Sequence, residues 1–277
     1  MFNKVFISMK LNIYSIKGEA KGSVSVKTNY PVRTDLVQRA VASELSLKRQ
    51  PYGTDPLAGK RTSAHYHGRR GIRHSMMNRE MARMKRIHGS GFLHMTARFV
   101  PQAIKGRKAH PPKVEKDWEK GMNKKEWRKA LASAFCACLQ KELVEKRGHK
   151  IKGLKQVPVI IENKFASVKK AKEVLALLEK LGLKQEIERA KEKKVRAGKG
   201  TARGRRYKRK KSLLIVVKED KGISKAAENI PGVDVVEVGN LSVSDLVPGT
   251  KPGRLSLWTE AAFEHMKKFL KENGVEV

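Results

Sequence analysis

From Arg49 to Lys116 the chain offers almost nothing with which to build a core. Glycines, histidines and prolines are scattered through this stretch, and no apolar period lasts more than a turn. Its acids are Asp55, Glu80 and Glu115. Against them stand Arg49, Lys60, Arg61, Arg69, Arg70, Arg73, Arg79, Arg83, Lys85, Arg86, Arg98, Lys105, Arg107, Lys108 and Lys113, with Lys116 closing the stretch. A neutral loop of this length argues against a compact domain. A loop this positive has a direct explanation: it lies against a polyanion and takes its shape from it.

The charge of the whole chain points the same way. Lys and Arg total 62 against 27 acids, a formal net charge of +35. Self-repulsion on this scale destabilises a free compact protein, so the chain reads as half of an ionic assembly whose other half is phosphate. Membrane surfaces are anionic too, but no apolar run reaches the roughly 18 residues of a spanning helix. The broken apolar character of Met1 to Met9 lacks the core of a signal peptide. The cysteines, Cys136 and Cys138, make no disulfide framework and suit a reducing cytoplasm. Two apart on a helix, they face different ways and read as small core residues.

Apolar residues gather in two blocks. In the first, Leu11, Ile13 and Ile16 with Val24 and Val26 predict two short strands around Lys17-Gly18. Leu36, Val37, Ala40, Val41 and Leu45 then fall on one helical face, with Thr34 or Asp35 as N-cap. In the second, Trp127, Leu131, Ala134, Phe135 and Cys138 form a stripe after an Asn123 cap. Val157–Ile161, Leu213–Val217 and Val233–Val238 read as buried strands. A helix is predicted from Phe165 to Leu181, closed by Gly182, and a last one from Thr259 to Glu272. Strands alternating with helices predict an α/β fold, a mainly parallel sheet with helices on both faces. The body comprises residues 1–48 and 117–277, interrupted by the long extended basic loop, residues 49–116.

A second basic run lies inside the body. Arg196 to Lys211 holds nine Lys or Arg in sixteen residues and no acid. Gly198, Gly200, Thr201 and Gly204 break it, and Tyr207 is its one aromatic. Nine uncompensated cations repel one another unless an anion is bound, so Arg196, Lys199, Arg203, Arg205, Arg206, Tyr207, Lys208 and Arg209 join the candidate nucleic-acid contacts.

Several apparent motifs fail on spacing or context. Gly53–Thr62 mimics a phosphate-binding loop, but five residues separate Gly53 from Gly59, and Arg61 stands where Ser or Thr is required. Gly198, Gly200 and Gly204 are too widely spaced for a dinucleotide fingerprint and precede a strand rather than follow one. Gly68-Arg69-Arg70-Gly71 matches the KH-domain clamp in four residues only and lacks the flanking amphipathic helices. The glycines there let the backbone approach RNA while the arginines reach phosphate or stack on bases. His65 and His67, with His74, His88, His94 and His110, invite a metal reading. No Cys or acid pair lies near them in sequence, and RNA contact is the better reading. The methionines from Met76 to Met95, interleaved with arginine, read as gap-fillers at a ribonucleoprotein surface. No catalytic constellation emerges from spacing.

Four long segments resemble one family. They are QPYGTDPLAGKRTSA (Gln50–Ala64), FVPQAIKGRKAHPPKVEKDW (Phe99–Trp118), RAGKGTARGRRYKRKKSLLIVV (Arg196–Val217) and PGRLSLWTEAAF (Pro252–Phe263). They resemble, in order, the archaeal and eukaryotic form of the large-subunit ribosomal protein L four family. The resemblance runs from Met9 onward, leaves Met1–Ser8 outside it, and favours an archaeal source. It implies an α/β body on the outside of the large subunit, bound to large-subunit rRNA and neighbouring large-subunit proteins in the cytoplasm. It also implies a long loop that penetrates the rRNA, its tip near the narrow part of the peptide exit tunnel and the nascent chain. By position that tip holds His65, Tyr66, His67, Gly68, Gly71 and His74. The stretch HYHGRRGIRHSMM is heavier in His and Met than the Gly/Ser-rich tips of archaeal relatives.

The expectation is therefore a structural rRNA-binding protein with no catalytic activity, cofactor, metal or membrane partner. The alternatives are an RNA-processing enzyme with a basic substrate arm and a free nucleic-acid-binding protein. The enzyme would need an acid, His or cofactor cluster at the strand C-terminal ends, where Thr-, Ser- and Gly-rich turns stand instead. The free binder is disfavoured by so long an unscaffolded loop.

Overall fold

Short apolar runs alternating with period two build a sheet with both faces covered. The computed structural model describes residues 7–274; Met1–Phe6, most of the segment read as lacking a signal-peptide core, lie outside the described residues, as do residues 275–277. Strands β1 (Ile7–Tyr14) and β2 (Ala20–Thr28) form an antiparallel hairpin. With β3 (Val159–Ile161), β6 (Leu214–Val217), β7 (Asp234–Glu237) and β8 (Ser256–Thr259) they make a six-stranded sheet, order β2-β1-β3-β8-β6-β7. Every pairing except β1 with β2 is parallel. The two strands between β3 and β6, named β4 and β5 below, form a separate hairpin.

The register sorts the core. Ile13, Ile160, Trp258, Val216 and Val236 form one cross-strand row. They face helices α1 (Thr34–Leu47), α2 (Lys124–Leu139), α7 (Val243–Leu246) and α8 (Glu260–Glu272). Fully buried Trp258 meets Phe135 of α2 at 5.4 Å and Phe263 of α8 at 6.0 Å, both edge to face. The next row, Val159, Leu257, Ile215 and Val235, points the other way. It packs on α3 (Lys141–Lys146), α4 (Ala171–Lys180) and α6 (Ile223–Ala227). The α/β fold with a mainly parallel sheet and helices on both faces is thus realised.

Three hydrogen bonds to Glu44 fasten the helices of the first face. Glu44 of α1 accepts the Trp127 indole N–H of α2 at 2.8 Å. It also accepts the Val243 and Ser244 amides at 3.0 and 2.7 Å, satisfying first-turn donors of α7. Cys136 lies against Thr28, and Cys138 sits in the core; both are buried, and burial pushes their thiols up to about 11 and about 12.

Details depart from the sequence reading. The helix expected from Phe165 begins at Ala171; Asn163–Ser167 closes a separate tight turn, and Val168 and Lys170 are extended. The Ser167 hydroxyl donates to Lys164 O at 2.8 Å, a local bond that competes with helix continuation. Strand β7 is half-buried rather than buried, because it is the sheet edge. The α1 N-cap is Arg33, whose guanidinium pairs with Asp35 at 2.6 Å.

The chain divides into two compact units, the body (up to Lys48 and again from Glu119) and an arm, Arg49–Trp118. Among the described residues no helix is long and apolar enough to cross a membrane.

Candidate nucleic-acid interface

The second basic run folds into a hairpin. Helix α5 (Lys184–Lys191) leads into β4 (Lys193–Val195), which pairs antiparallel with β5 (Tyr207–Arg209), every residue of both strands being exposed. Gly198 and Gly204 have φ of +78° and +77°, the left-handed backbone that the turns at the tip require. The cations divide by task. Arg196 donates to Arg205 O at 2.9 Å and Tyr207 O at 3.4 Å, fixing the two limbs. Lys210 pairs with Glu192 at 2.5 Å and Lys211 with Asp234 at 2.8 Å, both at the root. Lys199, Arg203, Arg205, Arg206, Lys208 and Arg209 are exposed, and none makes a side-chain hydrogen bond or ion pair among the described residues. Tyr207 is half-exposed, with Lys193 Nζ and the Arg206 guanidinium 5.8 and 5.7 Å from its ring centre.

A buried network holds the hairpin root, and nothing in the periodicity of the sequence announces it. The Glu186 carboxylate, 1% exposed, accepts from Arg189 Nη2 and Nε at 2.5 and 2.8 Å. It also accepts from the Lys150 amide at 2.9 Å and the Ser212 hydroxyl at 3.0 Å. His149 Nδ1 lies 2.7 Å from it. The Leu255 amide donates to His149 Nε2 at 3.4 Å, so the ring's proton sits on Nδ1 and faces the carboxylate. Arg189 also donates to Lys211 O, and buried Arg254 donates to Ser212 O, Leu213 O, Asp245 O and Asp234. Gly253 brings Arg254 there: its φ is +91°, and a Cβ would lie 2.6 Å from Leu143 O.

Burial raises the Glu186 carboxyl, but the hydrogen bonds from Arg189, His149 and Lys150 outweigh it and hold it at about 2. Burial likewise pushes His149 below the usual imidazole range, against the opposing pull of Glu186. Both depressed values stabilise the fold at neutral pH. The His149 contribution is lost as pH falls below the ordinary value of about 6.5, and the Glu186 contribution as pH falls from about 4.3 through its folded value. Glu186→Gln leaves Arg189 with a weakened partner and is expected to cost about 3–5 kcal/mol in urea unfolding. It should also flatten the acid dependence of stability below the ordinary carboxylate range; an unchanged unfolding midpoint would deny the network its role.

In the arm, outgoing and returning limbs pair without regular sheet. The Thr54 amide donates to Pro112 O at 3.0 Å, and Tyr52 stacks on Trp118 at 4.8 Å with the Arg49 guanidinium 4.1 Å from the indole. Gly59 belongs to this packing rather than to a phosphate loop, since a Cβ there would meet Gly106 O and the Arg107 amide at 2.6 Å. A cleft of about 680 Å³ between these limbs is lined by Lys60, Lys105, Arg107, Lys108 and Lys113. Farther out, His65 and Arg86 exchange backbone hydrogen bonds at 3.2 and 3.1 Å.

The arm's expected contacts also divide. Arg86 donates to Met95 O at 2.8 Å and Ala82 O at 3.0 Å, and Arg98 to Ile104 O at 2.7 Å, so these donors are engaged within the arm. Arg61 pairs with Asp55 at 2.6 Å, and Lys85 Nζ sits 4.3 Å from the Phe99 ring centre. Lys60, Arg69, Arg70, Arg73, Arg79, Arg83, Lys105, Lys108 and Lys113 are exposed and make no side-chain hydrogen bond or ion pair among the described residues. Tyr66, Gly68 and Gly71 are exposed. His65, His67, His74 and His88 form a chain of neighbouring rings.

An α/β body carrying a cationic hairpin, with a cationic arm inserted in its chain, defines a protein built to bind a polyanion. Comparison with known proteins gives the family. The pattern of the ribosomal protein L4/L1 family matches residues 25–269. The large ribosomal subunit protein uL4 of Methanosphaera stadtmanae is 42% identical over 267 residues, 95% of this chain and 98% of the relative. Those of Methanopyrus kandleri and Archaeoglobus fulgidus are 43% and 42% identical, each over 95% of this chain and the whole of the relative. The chain belongs to the ribosomal protein L4/L1 family.

Proposed function

We propose that this protein is a structural constituent of the large ribosomal subunit that acts by binding rRNA and catalyses no reaction. The observation that carries this reading beyond family membership is the division of labour among the hairpin cations. Arg196, Lys210 and Lys211 are spent on building and rooting the hairpin, while the side chains of Arg203, Arg205, Arg206, Lys208 and Arg209 make no hydrogen bond or ion pair among the described residues. A surface that leaves guanidinium groups unpaired in this density is complementary to phosphate. The body, residues 1–48 and 117–277, anchors on the rRNA surface. Residues 49–116 pass into the rRNA, where arginines and lysines displace counterions and glycines allow close backbone approach. The tip around His65–His74 reaches toward the exit tunnel and the nascent chain, and other contacts are made with neighbouring large-subunit proteins in the cytoplasm.

Co-sedimentation with large subunits in high salt tests the assignment. The bound protein should then resist trypsin between Lys60 and Lys113, where the free protein is cut first. Release from subunits in high salt, or equal cutting in both states, would refute the reading.

A further inference from the structure

Three imidazole rings meet on the arm. His65 and His67 lie two apart on the outgoing limb, with ring centres 4.4 Å apart. His88 comes from the returning limb, held in place by the backbone pairing of His65 with Arg86. The ring centres are 4.3–4.6 Å apart, and one ligand atom from each ring lies within 4.8 Å of the other two.

The hydrogen bonds set the tautomers. His65 Nδ1 is 2.9 Å from Ser63 O. A carbonyl only accepts, so Nδ1 carries the proton and Nε2 keeps its lone pair. His88 Nε2 is 3.1 Å from His65 O, so the same logic leaves the lone pair on His88 Nδ1. That atom is buried and has no hydrogen-bond partner among the described residues. His67 Nε2 lies 2.7 Å from His65 Nε2 and donates to its lone pair; the ion takes the place of that proton, which His67 releases or moves to its own Nδ1. In each of the two assigned rings the nitrogen away from the cluster is tied to a backbone carbonyl, the arrangement that orients metal-ligating histidines.

We propose that His65 Nε2, His67 Nε2 and His88 Nδ1 form a binding site for a divalent transition-metal ion, Zn²⁺ being the best match. Zn–N bonds of about 2.0–2.1 Å put tetrahedral ligand atoms about 3.3 Å apart. His65 Nε2 and His67 Nε2 stand closer than that, at 2.7 Å, and one ligand atom from each of the three rings lies within 4.8 Å of the others, so side-chain rotation brings the three to that spacing. Three imidazoles with no carboxylate or thiolate favour Zn²⁺, Cu²⁺, Ni²⁺ or Co²⁺ over Mg²⁺ and Ca²⁺. The fourth position is open to water or an oxygen ligand. The ion joins the outgoing and returning limbs, so its effect is to hold the arm in one conformation. No Cys or acid pair marks the site in sequence; it is assembled by pairing residues far apart along the chain.

The site is a property of the free protein, so its test does not depend on the rRNA reading. Untagged full-length protein is titrated with Co²⁺ and then Zn²⁺. One equivalent of Co²⁺ should give the visible bands of tetrahedral coordination, and Zn²⁺ should abolish them. His65→Gln, His67→Gln and His88→Gln should each weaken binding by at least about tenfold. His110→Gln, exposed and outside the cluster, should leave it unchanged. Zn²⁺ should also slow trypsin cleavage at Arg69–Arg86 in the parent protein and not in His88→Gln. Absence of saturable binding by the parent protein, or an equal loss in His110→Gln, would overturn the proposal.

Discussion

Replacing Arg203, Arg205, Arg206, Lys208 and Arg209 together by Gln is expected to flatten the slope of log K against log salt for rRNA binding. The change should be roughly 0.7 to 0.9 for each phosphate that the variant no longer neutralises, so roughly 3.5 to 4.5 in total. The effect is separable from folding, because these side chains are exposed and none makes a hydrogen bond or ion pair among the described residues. The root they stand on is made by other groups: the Glu186 network, Arg254, and the pairs of Lys210 with Glu192 and Lys211 with Asp234. Affinity of the variant should fall most at low salt, where counterion release contributes most. An unchanged slope would mean that the hairpin faces solvent in the complex. Arg196→Gln is a useful contrast. Its donors bind Arg205 O and Tyr207 O, so it should disturb hairpin shape more than its single charge implies.

What was legible in the sequence follows the range of the forces involved. The short apolar runs Val159–Ile161 and Leu214–Val217 and the helical stripes at Leu36–Val41 and Trp127–Cys138 are local signals of burial, and the elements stand where those signals lie. Short helices such as Lys141–Lys146, Val243–Leu246 and Ile223–Ala227 carry too few turns for a period to register. The β4–β5 hairpin had no apolar pattern because both of its strands are exposed; only its charge and its glycines marked it. The Glu186–His149–Arg189–Ser212 network was invisible for a different reason. Glu186 and Arg189 share one helix, but His149 and Ser212 come from other segments of the chain, and a lone His or Glu in sequence does not declare a buried partner. The same holds for His88, which the fold brings against His65 and His67; the tautomers of His65 and His88 follow from the carbonyls of Ser63 and His65. Charge density located the candidate interface; the distinction between cations that build it and cations left for a ligand required side-chain geometry.

Deleting His65 to His94 separates anchoring from threading. The body should stay folded, since neither apolar cluster of the body includes a residue of this segment. The deletion removes Arg69, Arg70, Arg73, Arg79, Arg83, Lys85 and Arg86, and rRNA affinity should weaken accordingly. It should not vanish, because the hairpin cations remain, as does the base of the arm with its Thr54–Pro112 bond and Tyr52–Trp118 stack. The salt slope should fall less than the number of deleted cations implies, because Arg86 is engaged with Met95 O and Ala82 O and Lys85 with the Phe99 ring. Inside the subunit the expected consequence is a wider exit tunnel near its constriction and altered sensitivity to ligands that bind there. An enzyme with a basic substrate arm behaves differently: its body turns over RNA, and the deletion chiefly raises KM. Cryo-electron microscopy of subunits carrying the deletion decides between the two. If the tunnel wall is unchanged, with other density at the tip position, residues 49–116 do not thread as proposed, although the protein can still belong on the subunit surface through its hairpin.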